Sequence, residues 1–307
     1  MKIKGITFAP FCGKGVFSEE ETYRSFDLML EKTGMNYVML VPNGVQDTPQ
    51  SEQIDRTSMC TCDDDELIQM IEYAHKKGVS VALKPTVNCK NGTWRAHINF
   101  FDIDVPCEPK WKNWFASYTE FQLHYAEIAQ RTGCEMFLPG CEMVMSERRE
   151  TEWRMLIARI REVYDGVISY NTDKYQEDRV AWWDCVDVIS SSGYYPINDW
   201  EKELDRIGAV VKKFQKPFFF AEVGCMSVEG SSKVPNDWSI QAQIRPEEQA
   251  EWYQKMFAAI EKRDWVDGVV IWAWTDRLYP EDRAMNMGGY DIYGKPAMDV
   301  VRREFAK

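Results

Sequence analysis

Histidine is scarce in this chain of 307 residues, which contains only three. His75 and His124 fall inside predicted helices, and no H-x-H or H-E-x-x-H motif occurs. Barrel hydrolases that depend on a metal need several inward histidine or carboxylate ligands. Complete G-x-G-x-x-G, Walker A and G-x-S-x-G motifs are absent as well. We therefore expect neither a metal nor another cofactor.

Long apolar runs and excess positive charge are also lacking. No stretch of 18 apolar residues occurs, so no membrane span is predicted. The 37 basic residues against 49 acidic ones give a net charge of −12, which disfavours nucleic acids and anionic membranes as partners. The nine cysteines have irregular spacings and the N-terminus resembles no signal peptide. We expect a cytoplasmic protein with reduced thiols, with secretion after removal of a leader as the alternative; the oligomeric state stays open.

Aromatic residues, in contrast, are abundant. The chain has 12 Trp, 14 Tyr and 15 Phe, together 13% of its residues. Part of this content belongs in a hydrophobic core, but the tryptophans exceed what packing usually needs. Tryptophan also offers a flat surface to the apolar faces of ligands.

Eight short apolar runs alternate with longer amphipathic stretches along the chain. The predicted strands are 3–9, 37–41, 79–84, 135–139, 167–170, 186–191, 217–222 and 268–274. The predicted helices are 18–32, 63–77, 110–132, 147–164, 200–214, 246–262 and 297–305. This alternation is typical of an α/β protein with a parallel sheet, and eight repeats favour a single (β/α)8 TIM barrel over an open sheet. We predict one catalytic barrel domain over residues 1–307.

Three long loops, 42–61, 86–109 and 224–245, leave the carboxyl ends of predicted strands. Barrel enzymes place their active sites at that face, and loops of this length are usually functional or disordered. Trp94 and Asn99 lie in the second of these loops, so we expect them to contribute to a binding site.

Two glutamates stand where a barrel active site would need them. Glu142 follows the fourth strand, and Glu222 ends the seventh after three consecutive phenylalanines. A carboxylate there faces a desolvation cost and needs a partner or a chemical role. Paired carboxyl groups are what glycoside hydrolysis requires: one protonates the leaving oxygen, and the other attacks or stabilises the anomeric carbon.

At this point the chain resembles a known family. A barrel with glutamates after strand four and at the end of strand seven resembles the retaining glycoside hydrolase clan A, and more narrowly family 113, whose characterised members are β-mannanases. The segments that carry the resemblance are Trp111-Lys-Asn-Trp-Phe115, Tyr125-Ala-Glu-Ile-Ala129, Gly140-Cys-Glu142, Ile168-Ser-Tyr-Asn171, Trp182-Trp-Asp184, Gly193-Tyr-Tyr-Pro196, Lys216–Gly224, Gly268–Trp274 and Tyr293-Gly-Lys-Pro-Ala297.

The resemblance implies roles for individual residues. Glu142 would be the general acid/base and Glu222 the nucleophile. Clan A members usually carry Asn immediately before the acid/base, where it contacts the sugar 2-hydroxyl, whereas this chain has Cys141, a weak donor. Either another group, such as a loop asparagine, binds that hydroxyl, or the enzyme contacts the 2-position of the sugar in a different way.

Four further residues are predicted to contact sugar. Trp274, nearer the barrel mouth than Trp272, is expected to stack on a sugar ring. By the resemblance Tyr195 is chosen over Tyr194 as the inward tyrosine that donates to Glu222. Lys84 ends the third strand, where it could bind hydroxyls or form a salt bridge, and Trp94 is a candidate platform or rim.

These observations predict a retaining β-glycoside hydrolase that cleaves β-1,4-mannan or manno-oligosaccharides by double displacement, with an oligosaccharide or polysaccharide as its partner. One alternative is another clan A β-glycosidase: a glucanase, a xylanase or an exo-acting enzyme. The other is a barrel that binds carbohydrate without cleaving it. Cys141 keeps both alternatives open.

Overall fold

The computed structural model describes all residues from Met1 to Lys307. Its ten strands are β1 Ile3–Phe8, β2 Tyr37–Leu40, β3 Asn43–Gln46, β4 Ser80–Leu83, β5 Thr86–Cys89, β6 Met136–Phe137, β7 Val167–Thr172, β8 Val188–Ser192, β9 Phe218–Val223 and β10 Val266–Trp274. Eight of them form a closed barrel in the order β1-β10-β9-β8-β7-β6-β4-β2. The prediction of a (β/α)8 barrel is confirmed.

Eight helices alternate with the strands. They are α1 Glu20–Thr33, α2 Asp64–Lys76, α3 Trp111–Thr132, α4 Glu150–Arg161, α5 Trp200–Phe214, α6 Pro246–Ile260, α7 Glu281–Ala284 and α8 Pro296–Phe305. Gly34 and Gly133 end α1 and α3 in the left-handed conformation that glycine adopts without steric cost. None of the helices is long and apolar enough to cross a membrane.

The chain divides into two compact units. One contains Met1–Pro10, Glu19–Met39 and Ser190–Lys307, and the other contains Phe11–Ser18 and Leu40–Ile189. In the first, Phe218 and Phe220 of β9 pack against Trp265 and Trp200. In the second, Trp153 of α4 stacks on Trp182 at 4.9 Å between ring centres. Each unit therefore has its own aromatic core, and the prediction of one domain over residues 1–307 stays a prediction.

The first two helices begin close to their predicted starts. The first was predicted from residue 18, but 16–18 form a short 3-10 helix and α1 begins at Glu20. The cap of α2 agrees with the sequence, because Asp63 and Glu66 form a reciprocal capping box. Glu66 also accepts hydrogen bonds from the backbone N–H groups of Gly15 and Phe17. The acidic run at 63–65 thus starts a helix, as expected.

The long loops after the second and third predicted strands contain structure that the sequence did not reveal. β3 and β5 lie in them and form a separate two-stranded parallel sheet. The fourth barrel strand is shorter than predicted, because β6 comprises only two residues. After β6, the backbone of Cys141 continues beside β7 through an isolated bridge to Asn171.

Candidate active site

Glu142 follows β6 on an irregular stretch of backbone. Gly140 has a φ of +148° and Glu142 a φ of +53°, a left-handed conformation that is uncommon for glutamate. A Cβ on Gly140 would lie within about 3 Å of Tyr170, Trp153 and Tyr118. The backbone N–H of Glu142 donates to the carbonyl of Asn171 at 2.7 Å. This turn brings the glutamate beside the end of β7, and such backbone outliers are frequent at functional sites.

Glu142 is 7% exposed, and its side chain is held from the loop at 86–109. Trp94 Nε1 donates to its Oε2 at 3.2 Å, and Arg95 Nη1 lies 3.7 Å from the same oxygen. Arg95 is itself buried, with its guanidinium over the Phe11 ring. These donors orient the carboxyl group.

Glu222 lies on β9 and is 4% exposed. Tyr194 Oη donates to its Oε2 at 2.8 Å. The register between β9 and β10 shifts between Phe220 and Val223, so one residue is extra there. Such a bulge breaks the strict alternation of side chains and re-aims the residue that it contains. Glu222 therefore need not follow Phe220 onto the side that packs against α5.

The tyrosine beside Glu222 is not the predicted one. Tyr195 was expected to donate to Glu222, but it is fully buried and packs edge-on against Trp200 and Phe220. Both tyrosines follow the end of β8 and Gly193, where the chain is no longer a regular strand. Alternation therefore could not decide between them, and Tyr194 is the donor.

The expectation for Trp274 is also wrong. Its side chain is fully buried, and its Nε1 donates to Ser25 Oγ of α1 at 3.1 Å. Ile6 and Phe8 of β1 pair with Ile271 and Trp274, so β10 carries one extra residue in between. Trp272 consequently does not share the side of Trp274, and it keeps part of its surface exposed. A Cβ on Gly224 would meet the Trp272 carbonyl, Tyr290 and Tyr194 at 2.8–3.1 Å, so these groups converge close to Glu222.

Lys84 and Cys141 meet at one side chain that the sequence analysis did not single out. Asn171 Oδ1 accepts from Lys84 Nζ at 2.9 Å and lies 3.7 Å from Cys141 Sγ. All three residues are at most 1% exposed. The amide of Asn171 thus lies beside the residue that replaces the usual asparagine before Glu142.

Asn99 has a different environment. Its Oδ1 accepts from Arg148 Nη2 at 2.8 Å, and the same guanidinium binds Asp102. The ring of Trp94 is partly exposed and lies 5.9 Å from Lys174 Nζ. Trp94 therefore contacts Glu142, whereas Asn99 contacts the ion pair between Arg148 and Asp102.

Two more buried carboxyl groups lie near Glu142. Burial raises the pKa of Asp173 to about 7, with the charge of Glu142 raising it further and Lys174 opposing the shift. Burial also raises the pKa of Glu147 to about 8, although Thr172 and Tyr170 donate to its Oε1. Tyr170 Oη in turn accepts from the backbone N–H of Met143. This side of the site is therefore rich in acidic groups.

Comparison with known proteins identifies the family. The model of Glycoside Hydrolase Family 113 matches residues 6–295. The chain belongs to Glycoside Hydrolase Family 113. The prediction of a glycoside hydrolase is thereby confirmed. No curated protein matches the chain.

Solved structures agree with membership of family 113. A structure described as a GH113 β-1,4-mannanase complex is 52% identical, with a TM-score of 0.98 over 99% of both chains. A GH113 β-mannanase from Alicyclobacillus acidocaldarius, in complex with ManMIm, is 42% identical, with a TM-score of 0.95 over 99% of this chain and 97% of that one. A β-glucuronidase from Ruminococcus gnavus, at 14% identity and a TM-score of 0.68 over 99% of this chain and 50% of its own, shares the fold.

Sequence reasoning about this family 113 chain missed Tyr194, Asn171, Arg95 and Asp173. Two of them could have been predicted from the sequence, because Arg95 directly follows Trp94 and Asn171 ends a segment that carries the family resemblance. Asp173 lies just after β7, at the edge where polar residues of a barrel usually function. Its burial was the missing signal, and a sequence does not display burial.

Proposed function

We propose that this chain is a retaining β-1,4-mannanase. The observation that carries the proposal is the 52% identity, over nearly the whole of both chains, to a structure described as a β-1,4-mannanase. The two buried glutamates at strand ends provide the carboxyl groups that such a reaction needs.

In the proposed mechanism, Glu222 attacks the anomeric carbon while Glu142 gives its proton to the glycosidic oxygen. The bond between the anomeric carbon and the glycosidic oxygen breaks, and the shortened chain leaves as an alcohol. The sugar stays bound to Glu222 as an ester. Glu142, now ionised, takes a proton from water, and the resulting oxygen nucleophile displaces Glu222. The product keeps its β configuration, and both carboxyl groups return to their starting states.

The local contacts suit these roles. The hydroxyl of Tyr194 stabilises negative charge on Glu222, which supports a nucleophile that must be ionised before attack. Trp94 and Arg95 fix one oxygen of Glu142, which leaves the other to carry the transferred proton. Each carboxyl group is thus oriented by neighbours from its own unit.

We assign the sugar contacts to residues around these carboxyl groups. Trp94 and Trp272 each keep part of an aromatic ring exposed and offer surfaces for stacking. Lys84, Cys141 and Asn171 form a polar cluster directly before Glu142, and we assign it to the 2-hydroxyl in place of the usual asparagine. Asn99 acts indirectly in this proposal, through Arg148.

The test is to incubate the purified protein, without added metal, with β-1,4-linked manno-, gluco- and xylo-oligosaccharides of four to six units. Products are resolved over time by chromatography, and their anomeric configuration is followed by NMR. Cleavage confined to the manno series with a β-configured first product supports the proposal. Cleavage of another series overturns the substrate, an α-configured product overturns retention, and no cleavage overturns both. The cytoplasmic location stays a prediction that cell fractionation can test.

A further inference from the structure

Tyr290 is a half-buried tyrosine with no role in the mechanism above. It lies between α7 and α8, in the segment that follows β10. Its ring packs edge-on against the ring of Tyr194, with 5.9 Å between the ring centres and 77° between the ring planes. Tyr290 thus contacts the side chain that donates to Glu222.

Tyr290 is itself held at two points. Its hydroxyl donates to the carbonyl of Pro235 at 2.6 Å, in the loop after β9. Its own carbonyl accepts from Nε2 of the fully buried Gln249 of α6 at 3.1 Å, and the same amide donates to the carbonyl of Cys225 at 2.8 Å. The backbone of Tyr290 is thereby tied to the residue three positions after Glu222, and its ring is anchored to the loop after β9. A side chain fixed in this way is a firm support for its neighbour.

Gly224 leaves the space in which the two rings meet. A Cβ at this position would lie 3.0 Å from Tyr290 Cδ1, 3.1 Å from Tyr194 Cε1 and 2.8 Å from the Trp272 carbonyl. Both rings therefore pack against the backbone just after Glu222. A rotation of Tyr194 toward Tyr290 consequently requires Tyr290 to move.

Tyr194 needs such support because it follows β8 at a point where regular strand structure has ended. A phenol hydroxyl lies far from its backbone, so a small rotation about the side-chain bonds moves it away from Glu222. Hydrogen bonds weaken steeply as their angle becomes less linear. A misplacement of about 1 Å in an active site can cost about 100-fold in rate.

We propose that Tyr290 is a positioning residue that holds the hydroxyl of Tyr194 on Glu222 and so supports attack by the nucleophile. This inference rests on the proposed role of Glu222. The alternative is a purely structural role, in which Tyr290 only joins the loops after β9 and β10. The two roles differ in whether the effect of Tyr290 depends on the hydroxyl of Tyr194.

The experiment is a double-mutant cycle of kcat on a manno-oligosaccharide, with the wild type, Tyr290→Ala, Tyr194→Phe and the double variant. Tyr290→Ala should lower kcat by about 3- to 30-fold, because without the ring the hydroxyl of Tyr194 is no longer held on Glu222. In the Tyr194→Phe background the same substitution should change kcat by less than about twofold, since no hydroxyl remains to be positioned. A structural role would give the same factor in both backgrounds.

Two further variants sharpen the cycle. Tyr279→Ala is the matched control, because Tyr279 is a partly exposed tyrosine between β10 and α8 whose ring contacts Tyr293. Its kcat should stay within about twofold of the wild type. Tyr290→Phe keeps the ring but loses the bond to Pro235, so kcat should fall by about two- to fivefold, and only while the hydroxyl of Tyr194 is present. The phenylalanine variant carries the cycle if Tyr290→Ala does not fold.

A folded Tyr290→Ala variant with wild-type kcat overturns the proposal, and so does a loss by the same factor in both backgrounds. If the wild type cleaves no mannoside, the proposed function fails instead, and the support of Tyr194 is measured without turnover. The 13Cζ NMR signal of Tyr194, assigned by its absence in Tyr194→Phe, should shift when Glu222→Gln is introduced into the wild type. In the Tyr290→Ala background the same substitution should shift it by less than about half as much. Equal shifts in the two backgrounds would overturn the positioning role itself.

Discussion

Glu142 and Glu222 are both buried carboxyl groups close to the ends of strands, yet different kinds of backbone carry them. Glu142 stands beyond a two-residue strand in a left-handed conformation and is oriented by Trp94 and Arg95 from a distant loop. Glu222 lies within β9 and receives its bond from Tyr194, just after the adjacent strand β8. The comparison teaches that the surroundings of Glu142 depend on loop placement, whereas those of Glu222 depend on strand register.

Their electrostatic surroundings differ as well. Arg95 lies 3.7 Å from Glu142, and Lys174, which pairs with Asp173, approaches the ring of Trp94. Glu222 has a phenol as its hydrogen-bond donor and phenylalanines before it in sequence. Charged neighbours suit a group that must gain and lose a proton. A neutral donor suits a group that must stay ionised.

The largest effect should come from Glu222→Gln. Loss of the nucleophile should reduce kcat on manno-oligosaccharides by at least about 1,000-fold, because the covalent intermediate can no longer form. Fold and sugar binding should persist, as measured by circular dichroism and calorimetric titration. The control is Glu229→Gln, an exposed glutamate in the loop after β9. Retention of more than about a tenth of wild-type kcat by the purified Glu222 variant would refute the assignment.

Glu142→Gln should distinguish the two carboxyl groups. On manno-oligosaccharides kcat/KM should fall by about 100- to 10,000-fold, since the leaving oxygen is no longer protonated. On an activated aryl β-mannoside the first step should survive, and added azide should yield a β-mannosyl azide. Burst kinetics and product analysis provide the measurement. Equal losses on both substrates, with no azide product, would contradict the acid/base role.

The next largest effect tests the assignment of Tyr194 as the donor to Glu222. Tyr194→Phe removes a hydrogen bond to a charged group, which is worth about 1.5 to 3 kcal/mol, so kcat should fall by about 10- to 100-fold. Tyr195→Phe is the matched control, because its hydroxyl accepts from Arg206 Nη2 at 3.5 Å. Its kcat should stay within about threefold of the wild type. The reverse order of the two variants would restore the original assignment of Tyr195.

Most of the fold could be predicted from the sequence because apolar runs and helix boundaries are local features. The eight barrel strands and α5 were placed closely, and the glutamates were found because a charge after an apolar strand is conspicuous. The sequence could not predict the direction of Trp274. One extra residue in β10 reverses the alternation there, and no residue in the run marks it.

The surroundings of Glu142 were harder to predict for a different reason. Trp94 and Arg95 reach Glu142 across nearly fifty residues of sequence, and Asp173 approaches it from the next barrel strand. These contacts depend on how β3 and β5 pair within loops that give no periodic signal. Local patterns can therefore indicate that Glu142 is special without indicating what surrounds it.

The smallest expected effect is on thermal stability and concerns the buried acidic groups on the Glu142 side of the site. The pKa of Glu147 is raised to about 8 from its ordinary 4.5, mainly by burial. Folding therefore favours the protonated form, so its contribution to stability is full below about pH 4.5 and is lost as the pH rises through about 8. The wild-type Tm should accordingly fall between pH 5 and pH 9, and Asp173 contributes with the same sign.

Glu147→Gln should weaken this dependence, because the amide oxygen can still accept from Tyr170 and Thr172 but carries no proton to lose. Thermal unfolding at pH 5 and pH 9 should show a smaller Tm difference than in the wild type, with exposed Glu120→Gln unchanged as the control. A variant with the full wild-type difference would show that the carboxyl of Glu147 is already ionised at neutral pH. Asp173 would then be the one group on this side of the site with a raised carboxyl pKa.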